Sequence, residues 1–220
     1  MSGNVAEKRA GKVRRAAAGL VVSLLAVTAA QAADEPPHRN RFELTPFFGS
    51  MGGGEFEDVA TGASRDLKSD TNYGLFFDMN AEGYERQYEM FYTRQSTELD
   101  GSPNVDMDTQ YLHIGGIVNF TDVGYVVPYF GLTVGATRLE PDAPGLDATT
   151  RLSFSVGGGM KIPLTKHVGL RLDGRAYVTL LNTDADLFCA SGASGGTCLI
   201  RAKSDTFVQY SLGLGVIAGF

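Results

Sequence analysis

Between Val168 and Leu180 the chain alternates without a break. Val168, Leu170, Leu172, Gly174, Ala176, Val178 and Leu180 carry no polar side chain. Gly169, Arg171, Asp173, Arg175, Tyr177 and Thr179 interleave with them and include three charges. A period of two sends successive side chains to opposite faces of a strand, whereas a helix would mix the two sets around its circumference. The segment therefore reads as a strand with one apolar and one polar face.

The same parity runs through the chain from Arg41 onward. At the C-terminus Val208, Tyr210, Leu212, Leu214, Val216, Ala218 and Phe220 alternate with Gln209, Ser211, Gly213, Gly215, Ile217 and Gly219. Leu112, Ile114, Val118 and Phe120 oppose Tyr111, His113 and Asn119. Phe130, Leu132, Val134 and Ala136 oppose Tyr129, Gly131, Thr133 and Gly135. Leu152, Phe154, Val156, Met160 and Ile162 oppose Ser153, Ser155, Gly157, Gly159 and Lys161. Noisier runs begin near Phe42, Tyr73 and Tyr88, which makes eight strands in all. Their connections alternate in length, long near 55–70, 98–107, 139–150 and 182–204 and short near 80–84, 121–124 and 165–168. Short turns at one end and long loops at the other are the pattern of a barrel in a bacterial outer membrane. Both termini then lie on the periplasmic side. The expected fold is all-β: an eight-stranded antiparallel up-and-down transmembrane β-barrel over residues 41–220.

A soluble barrel of the lipocalin kind has the same alternation with the apolar face turned inward. The polar face argues for the membrane alternative. It is built of Gly and Ser more than of Lys and Glu, and Gly weakens a solvated strand without any gain. The interior of eight strands has room only for side chains, so small residues belong there. The charges on this face, Glu43, Asp78, Glu89, Lys161, Arg171, Asp173 and Arg175, are expected to pair across a narrow lumen, because isolating one is costly. A mean hydropathy of −0.06 is too polar for a helical membrane protein. No segment after residue 32 is long and apolar enough for a transmembrane helix.

Residues 1–32 read as a Sec-type export signal. Lys8, Arg9, Lys12, Arg14 and Arg15 precede the apolar stretch Ala16–Val27, and Ala30-Gln31-Ala32 is a small-x-small cleavage site. Residues 33–40 then form a short periplasmic tail. The whole chain has 19 basic and 25 acidic residues, a net charge of −6, and the leader holds five of the bases and one of the acids. The exported part is thus more acidic still, which argues against a nucleic-acid partner.

With these features the sequence resembles the small outer-membrane β-barrel domains of the OmpA/OmpX type, in a stand-alone form. The segments that carry the likeness are Glu43-Leu-Thr-Pro-Phe-Phe-Gly49, Gln87-Tyr-Glu-Met-Phe-Tyr-Thr-Arg-Gln95, Tyr111-Leu-His-Ile-Gly-Gly116 and the last strand. The resemblance implies that Phe220, with Tyr210 at the other end of that strand, is the signal read by the outer-membrane assembly machinery. Outer-membrane lipid and lipopolysaccharide are the implied surroundings. Two departures stand out: Trp is absent, leaving Tyr and Phe for the interfacial girdles, and no peptidoglycan-binding domain follows the barrel.

Cys189 and Cys198, the only cysteines, flank a Gly/Ser-rich stretch in the last long loop. In an exported protein they are expected to form a disulfide. They lack the CxxC spacing and neighbouring His of a metal site. His113 is expected in the lumen near Glu89 and Tyr111, as part of a polar network. The competing reading, a catalytic His of a lipid A-modifying enzyme, finds no His-x-Ser motif. Arg94 and Arg138 fall by parity on the lipid side, at the outer ends of their strands, and are candidates for contact with lipopolysaccharide phosphates. The alternative for both is snorkelling into the interface. The acidic loops lack EF-hand spacing, and Gly52-Gly-Gly54 lacks the sequel of a phosphate loop, so no metal, cofactor or catalytic residue is expected. The function read from the sequence is a non-enzymatic envelope protein with structural and adhesive roles and an unidentified surface ligand. A narrow porin-like channel is the alternative.

Overall fold

The computed structural model describes residues 40–220 apart from 59–61, 63, 82, 100–104, 122–124, 143–146, 182–185, 193–194 and 203–205. The expected export signal and most of the expected tail therefore lie outside the described residues. Twelve strands follow in order: β1 (Phe42–Gly52), β2 (Glu55–Asp58), β3 (Ser64–Asp66), β4 (Asp70–Asn80), β5 (Arg86–Leu99), β6 (Val105–Asn119), β7 (Val127–Asp142), β8 (Thr149–Pro163), β9 (Val168–Leu180), β10 (Asp186–Gly192), β11 (Gly195–Ala202) and β12 (Thr206–Gly219). Eight of them, β1, β4–β9 and β12, close into a barrel in which every neighbour is antiparallel. The first and last strands meet: Phe42 N–H donates to the Phe220 carbonyl and Phe220 N–H returns the bond, both at 3.0 Å.

The alternation fixes which side faces in. Leu112, Ile114, Leu132 and Leu212 are 56, 60, 59 and 69 % exposed on the outer wall, while Asp78, Glu89 and Arg171 are at most 1 % exposed inside. This is the inverse of a soluble barrel and excludes the lipocalin alternative. The glycines of the polar parity make room for the largest lumen side chains. A Cβ on Gly157 would meet Arg175 Nε at 3.0 Å, one on Gly159 the Tyr129 hydroxyl at 2.8 Å, and one on Gly213 the Phe47 ring at 3.1 Å. Each bulky group thus lies on a bare stretch of the neighbouring strand.

Two differences from the sequence reading concern the long connections. The described residues of the 98–107 and 139–150 segments are mostly strand, because the ladders β5–β6 and β6–β7 continue outward as far as Leu99↔Val105 and Asp106↔Asp142. Backbone pairing does not stop where the side chains turn polar. The 55–70 and 182–204 segments contain β2, β3, β10 and β11, which form a four-stranded sheet in the order β10-β11-β2-β3. These strands have 3–8 residues and no sustained alternation, so their pairing across the chain was not visible locally. Gly53 and Gly54, at φ 87° and 102°, follow β1 in a left-handed conformation that glycine adopts without strain.

One position interrupts the barrel's closing seam. Even-numbered residues of β1 point their N–H groups at β12, as the Phe42–Phe220 pair shows. Pro46 has no N–H. The β1–β12 register accordingly skips from Leu44↔Ala218 to Phe47↔Gly215, whereas β1–β4 runs unbroken past Pro46.

Candidate functional site

Every strand of the barrel contributes a lumen side chain, and the interior is layered. The lowest layer, at the end with short turns, is polar. Asn40, which precedes β1, donates to the Lys166 carbonyl, and Asn80 donates to the Asn40 carbonyl, both at 2.7 Å. Gln87 donates to Asn80 Oδ1, and Asn119 donates to Gln87 Oε1 and the Tyr84 carbonyl. A cavity of about 50 Å³ opens here between Asn40, Glu43, Tyr84, Lys161 and His167. The Tyr84 phenol, in the turn between β4 and β5, is pushed far above its usual range by burial and then by the Glu43 carboxylate, so it stays a neutral donor.

Above this lies the charge layer. Lys161 Nζ donates to Glu43 Oε2 at 2.6 Å, Asp78 Oδ2 at 3.0 Å and Gln87 Oε1 at 2.8 Å. Arg171 reaches Asp78 at 2.9 Å, Glu89 at 2.5 Å and Asp173 at 3.2 Å, and its Nε donates to Tyr129 at 2.9 Å. Arg175 binds Glu89 at 2.8 Å, Asp173 at 3.2 Å and Ser155 at 3.1 Å. The guanidinium carbons of Arg171 and Arg175 lie 3.8 Å and 4.5 Å from the ring centroids of Phe76 and Phe91. All seven lumen charges named from parity are therefore brought into one connected network. Four carboxylates face three cations, and Asp78 Oδ1 has no hydrogen-bond partner.

Next comes an aromatic layer of Phe47, Phe76, Phe91, Tyr111 and Tyr177. His113 belongs to it. Its ring stacks on Phe91 at 5.1 Å, its Nδ1 bonds Thr133 at 2.9 Å and its Nε2 bonds Ser153 at 2.8 Å. Tyr111 is its edge-on neighbour at 5.8 Å, as expected. The His113–Ser153 pair has the reach of a nucleophile and base. However, Thr133 stands where an orienting carboxylate would be needed, and both residues are buried in the filled lumen. Farther out, Tyr111 donates to Gln209 at 2.6 Å and Gln209 donates to Gln95 at 3.1 Å. Met51, Leu67, Met107, Leu139, Leu181 and Phe207 close the outer end as a buried apolar cap.

The residues that sequence reasoning did not assign to the network are Tyr84, Gln87, Tyr129 and Ser155. Three of them stand on the polar parity and could have been found there. Tyr84 sits in a turn, where parity has no meaning. Arg94 and Arg138 point outward as expected, and each is paired with an acid, Asp108 and Glu140 respectively. Tyr210 is on the outer wall and Phe220 pairs with Phe42. The backbone register sets Cys189 opposite Cys198 on β10 and β11. Their side chains lie outside the described residues.

A family model described as "Outer membrane protein beta-barrel domain" matches residues 19–216. Among solved structures, OprG of Pseudomonas aeruginosa superposes with a TM-score of 0.58 at 15 % identity, covering 83 % of this chain and 98 % of its own. Neisserial surface protein A gives a TM-score of 0.54 at 15 % identity, with 81 % and 97 % covered. AlkL, determined in lipid bilayers, gives 0.54 at 15 % identity, with 88 % and 97 % covered. These likenesses are of fold. No curated protein matches the chain in sequence.

Proposed function

The chain belongs to the outer membrane protein β-barrel domain family, and on that premise we propose that it is a non-conducting, non-catalytic scaffold displaying its outer loops at the Gram-negative cell surface. The carrying observation is the continuous filling of the lumen, from the Asn40 layer through the ion network and aromatic layer to the apolar cap. A closed barrel that binds its own interior shut serves through its outer surface. Envelope integrity and adhesion are the roles that suit it. The His113–Ser153 pair, lacking access and an orienting acid, serves as packing within the network.

Export through residues 1–32 and recognition of the strand from Tyr210 to Phe220 by the assembly machinery belong to the same reading. So does a Cys189–Cys198 disulfide. Directly opposed residues of an antiparallel pair have Cα atoms about 4.5–5.5 Å apart, inside the range a disulfide spans. Such a bridge would hold the β10–β11 hairpin, and with it the small outer sheet, in one register.

The test is gel migration of outer-membrane fractions, with a thiol-reactive label added before reduction. Unboiled protein should run faster than boiled protein and take up no label. Recovery in the soluble periplasmic fraction would overturn the membrane reading. Stoichiometric labelling of the folded band would remove the disulfide.

A further inference from the structure

The apolar outer wall is not equally tall around the barrel. On β5 its outward residues are Tyr88, Met90 and Tyr92, bracketed by Arg86 and Arg94. On β1 the apolar run goes from Phe42 to Phe48 and stops at Ser50, and on β4 it goes from Met79 up to Tyr73 and stops at Thr71. On β9 it runs from Val168 to Leu180, and on β12 from Phe220 up to Val208. These runs cover four residue steps on β5, six on β1 and β4, and twelve on β9 and β12. A strand rises about 3.4 Å per residue and tilts by about 40° in a membrane barrel, so one step lifts the wall by about 2.6 Å. The apolar wall is then about 30 Å tall on β9 and β12, about 16 Å on β1 and β4, and about 10 Å on β5, where a band of about 25 Å is usual. The short strands β5, β4 and β1 are neighbours in the barrel, and β1 borders the tall pair. The step falls on the closing seam, where Leu212 and Tyr210, 69 % and 63 % exposed, stand beside Ser50 and Gly52.

Tilting a barrel raises its belt on one side and lowers it on the other. It cannot make the belt tall on one side and short on the other, so the surroundings must take up the difference. The short wall ends in groups suited to the headgroup level. Tyr73 and Tyr92 form its upper edge and Tyr88 its lower edge, all three exposed. Tyrosine at a membrane interface lies with its ring toward the chains and its hydroxyl toward the headgroups. Tyr92 O–H donates in that direction, to Gln110 of the next row up. Arg86, one outward position below Tyr88, is exposed as well. A protein neighbour would have to desolvate this guanidinium and the phenols, whereas headgroups and water keep them solvated. Bilayers meet a wall that is too short by thinning.

We propose that the face made by β1, β4 and β5 is a lipid-thinning surface, which draws the two headgroup layers of the outer membrane together, while β9 and β12 hold the bilayer at full thickness. The proposal rests on the membrane reading of the barrel and adds that its lipid collar is uneven, with the abrupt change at the seam that Pro46 interrupts.

The experiment measures the depth of single Trp residues by fluorescence quenching in phosphatidylcholine vesicles brominated either near the headgroup or near the chain ends. The chain has no Trp of its own, so each introduced ring reports alone. The variants are Tyr73→Trp on the short side and Phe154→Trp on β8, both outward aromatic positions. Phe154 lies eight steps above Ile162 at the lower rim and Tyr73 six above Met79, so Phe154 stands at least as high on the barrel. A bilayer of uniform thickness would therefore place Phe154→Trp at least as near the headgroups. Thinning predicts the reverse order: Tyr73→Trp quenched more by the headgroup-proximal bromines, Phe154→Trp more by the deep ones. Adding Ser50→Leu and Thr71→Leu, a directly paired couple, raises the short wall by one row and should shift quenching of Tyr73→Trp toward the deep bromines. Equal or uniform-bilayer order, or no shift on raising the wall, would overturn the proposal. Tyr73→Trp quenched by neither lipid would mean that a protein covers this face, and would overturn it too. Failure of both Trp variants to be quenched would instead remove the membrane reading itself. Retention of the fast unboiled band shows that each variant has folded.

Discussion

Arg171 holds together Asp78, Glu89, Asp173 and Tyr129 at 3.2 Å or less, all of them buried. Deleting one partner of a buried ion pair typically costs about 3–5 kcal/mol, because the remaining charge is stranded away from water. Arg171→Met should therefore lower the unfolding free energy of the refolded barrel, measured by urea titration, by an amount in that range, and a loss under about 1 kcal/mol would show that the network is not the interior's main tie. Arg171→Met combined with Glu89→Gln should be less damaging than the two single losses added, since the pair then leaves together. Parity made these residues legible: period two is a property of the backbone, and it put all seven charges on the inner face. It could not say who pairs with whom. Lys161 and Glu43 are 118 residues apart in the chain, and only the closure of the barrel and its stagger bring them to 2.6 Å. Nor could it find Tyr84, whose place depends on a turn.

At the scale of elements, the closing seam between β1 and β12 is distinctive. Pro46 denies the Val216 carbonyl its ladder donor on the one interface that joins the chain's two ends. Pro46→Val restores an N–H and supplies a residue suited to strands. It should stabilise the barrel by about 1 kcal/mol, the usual net worth of one hydrogen bond. The readout is a higher denaturant midpoint and a higher temperature for loss of the fast-migrating band. A midpoint at or below that of wild type would mean that the proline's restriction of the unfolded chain outweighs the missing bond. The strands themselves could be read from the sequence because each has long alternation. The small sheet β10-β11-β2-β3 could not, because pairing between short, distant strands leaves no local period. The outer ends of β5–β7 escape the sequence pattern because the parity inverts there, with Met107 and Leu139 buried inside while Asp106, Asp108 and Glu140 face out, and only the ladder shows that the strands go on.

The whole molecule is a barrel whose inner and outer walls have exchanged the roles they play in a soluble protein. Its apolar wall suits lipid, and its polar wall is largely hydrogen-bonded within the lumen, with single atoms such as Asp78 Oδ1 left over. An eight-stranded barrel encloses just enough space for side chains, and here they occupy it in successive polar, ionic, aromatic and apolar layers. The overall architecture was legible from one strand's alternation and its repetition. The filling was only partly so, because whether small and large lumen residues interlock depends on which strands are neighbours and in what register. The most direct measurement is single-channel recording of the refolded, unboiled protein in planar bilayers at neutral pH. A lumen sealed by the Lys161–Arg171–Arg175 network and its aromatic and apolar layers predicts a silent membrane at every applied voltage. Reproducible conductance steps of uniform size, abolished by boiling the sample first, would contradict it.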